Sequence, residues 1–170
     1  SINLPIETLA AIQAPRKRFI LGQISDYPGN PRKKYRDTYH AARAIADQVI
    51  FVGPHCHRSG ATPEDVAGGR FRAFQNIQDA AAYLKETAIE NEVIMVKSSR
   101  NLHLERLLLA WLTDVRCWVE TCGVKTDCWS CGLYGHPFTE HGGNPRHYRP
   151  KKRGLKRLLA KLPFASAKDP

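Results

Sequence analysis

The strongest constraint on this fold is an alternation of short apolar runs with longer amphipathic segments across residues 1–115. The apolar runs are rich in β-branched residues and apolar on both faces, which is typical of parallel strands covered by helices. They cover residues 18–22, 48–53 and 92–97, and residues 71–74 are a shorter strand candidate. The pattern predicts a Rossmann-like three-layer α/β domain with a mainly parallel sheet of at least three strands.

Capping residues and apolar spacing predict the helices between these strands. Asn76 can cap one helix, and Thr62 before a proline indicates the start of another. The longer predicted helices cover residues 32–46, 76–87 and 101–112. The chain thus alternates strand and helix up to residue 115.

The remainder of the chain has a different character. Cysteine, glycine, histidine and aromatic residues dominate residues 116–145, whereas residues 146–170 carry nine basic side chains against one acidic one. Most of the net charge of +10 therefore lies in the tail. We predict an α/β domain over 1–115, a Cys/His module over 116–145 and a basic tail over 146–170.

Four of the five cysteines fall between residues 117 and 131, which indicates metal binding more than disulfides in a chain without a secretory leader. Cys128, Cys131, His136 and His141 have the spacing C-x2-C-x4-H-x4-H. Tetrahedral Zn²⁺ takes four such donors, so this set predicts a structural zinc site that resembles a zinc knuckle. A rival set contains only thiols: Cys117, Cys122, Cys128 and Cys131. Reduced cysteines in a loop are a third interpretation.

Nucleic-acid binding is a further hypothesis for the end of the chain. In zinc knuckles aromatic rings stack on unpaired bases while basic neighbours hold phosphate, and Trp129 and Tyr134 are the aromatic candidates. The basic candidates are Arg149, Lys151, Lys152, Arg153, Lys156 and Arg157. The alternative has about equal support: Trp129 packs on the loop that carries the metal ligands, and the tail is a solvated end without a partner.

Polar residues follow the strand candidate over residues 92–97, at the carboxyl end where a parallel sheet usually binds ligands. Lys97, Ser98, Ser99 and Arg100 combine two cations with two hydroxyls at a strand end that leads into a predicted helix. This pattern suits phosphate or carboxylate. Spacing alone favours ordinary surface charges and a serine helix cap.

The run from Val96 to Arg100, followed by Leu104-Glu105, resembles a strand end of Mur ligase C-terminal domains, which carries lysine-glycine-serine-arginine and then methionine-glutamate. The version in the ligase that adds D-alanyl-D-alanine during peptidoglycan synthesis is the most similar. Residues 19–22 and 49–53 resemble two further strands of that domain, and residues 1–10 resemble the helix after its first strand. The resemblance covers residues 1–113 and implies that Lys97, Ser99 and Arg100 contact substrate or nucleotide.

The sequence also departs from that family. Gln23 stands where the family has aspartate, Ser98 replaces a glycine, and no Gly-x4-Gly-Lys-Ser/Thr loop is present to hold ATP phosphates. We therefore expect no catalysis by this chain alone. ATP and Mg²⁺ would bind to a missing central domain, located upstream or in a partner chain.

Two functions follow as competing hypotheses. The chain is either the substrate-closing domain of an ATP-dependent Mur-type ligase, or a non-catalytic scaffold for single-stranded RNA or a ribonucleoprotein. No apolar run approaches the ~20 residues of a membrane span, so we expect none. The expected location is the cytoplasm, or an organelle matrix if a targeting segment preceded Ser1.

Overall fold

The computed structural model describes residues 2–25 and 29–142 of the chain. Its strands are β1 (Lys17–Leu21), β2 (Gln48–Val52), β3 (Phe71–Phe74) and β4 (Val93–Lys97). They form one sheet in the order β3-β2-β1-β4, in which every neighbouring pair is parallel. The predicted strands and the α/β class are confirmed, and the arrangement is compatible with a Rossmann-like fold.

The helices begin where the sequence provides capping groups. The Asn76 side chain accepts a hydrogen bond from the backbone N–H of Asp79 at 2.8 Å, and Thr62 accepts one from Asp65 at 3.2 Å. These bonds satisfy N–H groups that have no partner in the first helical turn. The helices are α1 (Asn3–Ala11), α2 (Pro31–Arg43), α3 (Pro63–Ala67), α4 (Ile77–Glu86), α5 (Arg106–Leu112) and α6 (Cys128–Cys131).

The helix predicted over residues 101–112 is only partly correct. A 3₁₀ turn covers Arg100–Leu102, and His103 then adopts the left-handed conformation with φ 52° and ψ 48°. A left-handed residue cannot continue a right-handed helix, so α5 begins only at Arg106. The interruption produces a loop between β4 and α5 that the apolar spacing did not indicate.

The sheet lies between two hydrophobic layers, because successive side chains of a strand point to opposite faces. Ile20 and Ile50 are fully buried in one layer, against α4 and α5. Phe19 and Phe51 are fully buried in the other, against α1 and α2. The strands of the middle of the sheet are therefore apolar on both faces, as the sequence predicted.

The segment after α5 packs back onto this domain. Val115 and Cys128 are buried in the same core layer as α4 and α5. Arg106 is fully buried, and its guanidinium donates hydrogen bonds to the carbonyl oxygens of Cys117 at 2.8 Å and Val119 at 2.7 Å. The Cys/His segment up to residue 134 thus shares a core with the α/β domain.

Candidate functional site

A cleft of about 250 Å³ lies at the carboxyl ends of β1 and β4. The sheet order places β2 and β3 on one side of β1 and β4 on the other, so the order in which strands are added to the sheet reverses at β1. Such a switch point is the usual ligand position in open parallel sheets. The cleft is lined by Ile2, Asn3, Leu21, Gln23, Ile24, Ser25, Lys34, Lys97, Ser98 and Ser99.

Cross-strand hydrogen bonds fix the two loops that form the cleft. The N–H of Gly22 donates to the carbonyl oxygen of Lys97 at 2.9 Å, and the N–H of Ser99 donates to that of Gln23 at 2.7 Å. The Ser98 hydroxyl accepts from the N–H of Gln23 at 3.1 Å. A Cβ at Gly22 would lie 2.4 Å from the Ser98 hydroxyl oxygen, so glycine is needed for this close approach.

The residues predicted from the strand end separate into two groups. Lys97 and Ser99 line the cleft, whereas Arg100 is exposed and is absent from the lining. The Ser99 hydroxyl oxygen is buried and has no hydrogen-bond partner within the described residues. Lys34 of α2 is a second cation in the lining, which the sequence pattern did not indicate. The cleft therefore offers two ammonium groups and one uncommitted hydroxyl.

A cluster of metal-binding groups lies at the other end of the same loop. Ligand atoms of His103, Glu105 and Cys128 all lie within 4.8 Å of one another. Cys128 and His103 are buried, and Glu105 is partly buried. Across residues 2–25 and 29–142, no other group of three or more His, Cys, Asp or Glu ligand atoms lies this close. The structure thus contains a candidate metal-binding triad.

Glu105 organises the triad. Its Oε1 lies 3.1 Å from Nδ1 of His103 and accepts the N–H of Cys128 at 2.8 Å. Burial alone would raise the pKa of the Glu105 carboxyl, but these hydrogen bonds outweigh burial and lower the pKa to about 2. Glu105 is therefore a carboxylate at neutral pH, held between an imidazole and a backbone amide.

A second contact reaches His103 from the Cys/His segment. Its Nε2 lies 3.3 Å from the Cys122 sulfur and 3.1 Å from the carbonyl oxygen of Val124. Burial raises the pKa of the Cys117 thiol. In the described part of the chain, no three sulfurs of the rival ligand set lie within 4.8 Å of one another.

The histidines of the preferred knuckle set have other contacts. His136 is exposed, and its Nδ1 lies 3.7 Å from a carboxylate oxygen of Glu140. Nε2 of His141 lies 3.0 Å from the carbonyl oxygen of His136. Of Cys128, Cys131, His136 and His141, only Cys128 belongs to the observed triad. The structure does not bring these four together, and the knuckle set stays a prediction.

The aromatic candidates for base stacking face each other. The rings of Trp129 and Tyr134 stack with centroids 6.2 Å apart and an interplanar angle of 16°. Both pack, partly buried, against the core layer that contains α4 and α5. The basic candidates from Arg149 to Arg157 lie outside the described residues.

His103 and Glu105 are metal-site candidates that the cysteine and histidine spacing did not indicate. Their H-x-E spacing was visible, but the thiols they meet are 19 or more residues away along the chain. Only the packing of the Cys/His segment onto the loop before α5 brings them together. Cys56, which lies between two histidines, is buried and is not part of any such cluster among the described residues.

None of the helices in the described part of the chain has the length and apolar character needed to span a bilayer. No protein-family model matches this chain, and no curated protein matches it either.

Proposed function

We propose that this chain is the substrate-closing domain of an ATP-dependent ligase of the Mur type, which forms amide bonds. The cleft at the switch point carries the proposal. It has the position, and two of the residues, that the family resemblance assigns to substrate contact: Lys97 and Ser99. The domain would act by binding and orienting a substrate, since bond formation by positioning and charge stabilisation needs no nucleophile from the protein.

The chemistry of the cleft favours an anionic group. Lys34 and Lys97 supply positive charge, and the described lining residues include no acidic side chain. The Ser99 hydroxyl can donate to an oxygen that enters the cleft, because it has no partner within the described residues. A carboxylate or a phosphate would satisfy all three groups. The carboxylate of an incoming amino acid or dipeptide fits this set.

The reaction would be completed elsewhere. In the family, the incoming amine attacks an acyl phosphate, the amide bond forms and inorganic phosphate leaves. ATP and Mg²⁺ would be held by the central domain, because this sequence has no phosphate-binding glycine loop. The 170 residues alone are therefore expected to bind the dipeptide without joining it to anything.

A titration of the 170-residue chain with D-alanyl-D-alanine, followed by amide NMR shifts, tests this. The expected shifts cluster at residues 21–25 and 97–99. Lys97→Gln should weaken binding about tenfold, the loss of one charge-assisted hydrogen bond. Lys33→Gln is the matched control, because Lys33 lies on α2 but is exposed and paired with Asp37. Absence of binding, or equal binding by both variants, would refute the substrate role.

We also propose that the thiols and imidazole around Glu105 hold a structural Zn²⁺. The donor set fits this ion, since Zn²⁺ prefers cysteine sulfur and histidine nitrogen. Fully coordinated zinc would leave no open position for substrate, so its role would be to hold the Cys/His segment on the domain. The RNA-binding scaffold remains an alternative prediction, and its main support lies in the basic tail.

A further inference from the structure

His103 has an unusual place in the fold. It is buried, it adopts the left-handed conformation, and it ends the 3₁₀ turn that follows β4. Residues with a Cβ avoid this conformation, and those that adopt it cluster at functional sites. The cleft at the carboxyl ends of β1 and β4 does not explain this conformation, because His103 does not line the cleft. The loop instead turns its imidazole toward the cysteines.

The two ring nitrogens of His103 have complementary surroundings. Nδ1 faces the Glu105 carboxylate at 3.1 Å, and Nε2 lies 3.3 Å from the Cys122 sulfur and 3.1 Å from the Val124 carbonyl oxygen. Two donors of a tetrahedral zinc site, one imidazole and one thiolate, are about 3.5 Å apart, as follows from Zn–N and Zn–S bond lengths. The spacing of Nε2 and sulfur is thus close to an edge of a zinc tetrahedron.

The Glu105 contact has the form of a carboxylate that orients a metal-binding histidine. A hydrogen bond from Nδ1–H to a carboxylate fixes the tautomer and leaves the Nε2 lone pair for a metal ion. Glu105 also accepts the N–H of Cys128, so it links the histidine to the start of α6. The same carboxylate therefore positions groups from both sides of the site.

The remaining donors are thiols of the Cys/His segment. Cys128 belongs to the triad with His103 and Glu105, and the Cys122 sulfur lies beside the His103 ring. A structural zinc site takes four N or S donors, so His103, Cys122 and Cys128 leave one position for a further thiol. Zinc would draw these sulfurs closer together than the structure holds them.

We propose that Nε2 of His103 is a zinc ligand, that three of the four thiols between residues 117 and 131 complete a Cys₃His site, and that Glu105 is its positioning residue. Cys122 and Cys128 are two of the three thiols. The inference rests on the proposed zinc and is independent of the ligase proposal. It places one ligand in the β4–α5 loop, so the metal would tie the Cys/His segment to the loop that also carries Lys97 and Ser99.

Metal content and zinc affinity of the full chain, purified without chelator, test the proposal. We expect one Zn²⁺ per chain of the Cys₃His type. His103→Asn should lower zinc affinity at least 100-fold in competition with a chromogenic chelator, since asparagine tolerates the left-handed conformation but is a poor zinc donor. Glu105→Gln should lower affinity 10- to 100-fold, as orienting carboxylates do. His136→Asn and His141→Asn are the matched controls and should keep wild-type affinity.

Two spectroscopic readouts keep the test decisive if His103→Asn does not fold. In the cobalt-substituted protein, Cys122→Ala should weaken the thiolate-to-cobalt charge-transfer band. In ¹⁵N spectra of the zinc-bound wild-type chain, His103 should show a metal-bound Nε2 and a protonated Nδ1. An imidazolium with both nitrogens protonated would mean that Nε2 only donates to Val124, and this result would overturn the proposal.

Other outcomes separate this inference from the proposals before it. Zinc lost from His136→Asn or His141→Asn but kept by His103→Asn would restore the knuckle set and remove His103 as a ligand. A wild-type chain without zinc would overturn both the metal and its ligand. Neither result would affect dipeptide binding in the cleft, so the ligase proposal stands or falls on its own titration.

Discussion

The cleft at the carboxyl ends of β1 and β4 and the His103–cysteine cluster lie at opposite ends of one loop but are built by different means. Paired strands position the cleft residues, because Leu21 and Lys97 are register partners and the backbone bonds continue past them. His103 and Glu105 lie between a 3₁₀ turn and the start of α5, whereas their cysteine partners come from a segment with little regular structure besides α6. Side-chain hydrogen bonds, above all those of the buried Arg106, hold that segment on the domain.

The comparison shows two ways of holding a site rigid. Parallel pairing satisfies backbone groups repeatedly, so a sheet edge fixes its side chains without special residues. An irregular segment must satisfy its carbonyls one by one, and here Arg106 does much of this. Single substitutions should therefore act very differently in the two regions.

The largest expected effect is that of Arg106→Met. The guanidinium is fully buried and donates to the carbonyl oxygens of four residues: Leu102, His103, Cys117 and Val119. A methionine would remove all four of these bonds, and of the four acceptors the His103 carbonyl would keep a bond from the Arg106 backbone N–H, at 3.3 Å. We expect a loss of about 3 kcal/mol or more in the free energy of unfolding, measured by urea denaturation. Arg116→Met, at an exposed position, should cost less than about 0.5 kcal/mol. Similar values for the two variants would show that Arg106 does not hold the segment.

A glycine exchange tests the close packing of the loop after β1 against the loop after β4. Gly22→Ala places a methyl group 2.4 Å from the Ser98 hydroxyl oxygen and 2.8 Å from carbons of Leu102 and Leu104. Overpacking of this kind should cost about 2 kcal/mol in thermal or chemical unfolding and should weaken dipeptide binding. Gly135→Ala is the control, because its Cβ would meet only a carbonyl oxygen, at 3.8 Å. Equal stability of both variants would contradict the close approach at Gly22.

The smallest expected effect is a change in stability at alkaline pH, and it involves only residues of the α/β domain. Burial, and then the hydrogen bond to Asp65 at 2.6 Å, raise the pKa of Tyr39 to about 12. A phenol whose pKa is raised on folding stabilises the protein below the unfolded pKa of ~10, and this contribution is lost as pH rises through 12. Tyr39→Phe should cost about 1 kcal/mol at pH 8 and progressively less from pH 10 to 12. A pH-independent difference in denaturation midpoints would rule out this linkage.

The sheet and most helices could be predicted because their signals are local. Strands apolar on both faces and capped helices depend on neighbouring residues, and the structure confirms the parallel sheet and the caps at Thr62 and Asn76. The helix predicted over residues 101–112 was wrong at its N-terminal end, where His103 adopts the left-handed conformation. Apolar spacing carries no information about such a residue, since its conformation is stabilised by contacts outside the helix.

The sequence by itself determined the α/β class, the strand ends that form the cleft and the concentration of thiols after residue 115. Tertiary structure alone decided which of these groups meet. Lys34 reaches the cleft because α2 packs on the sheet face that carries Phe19 and Phe51. His103 meets Cys122 because the buried Arg106 holds the later segment against the loop by hydrogen bonds. Periodicity and capping act over a few residues. These contacts instead join residues that are far apart along the chain, and only the packing of the layers decides which of them meet.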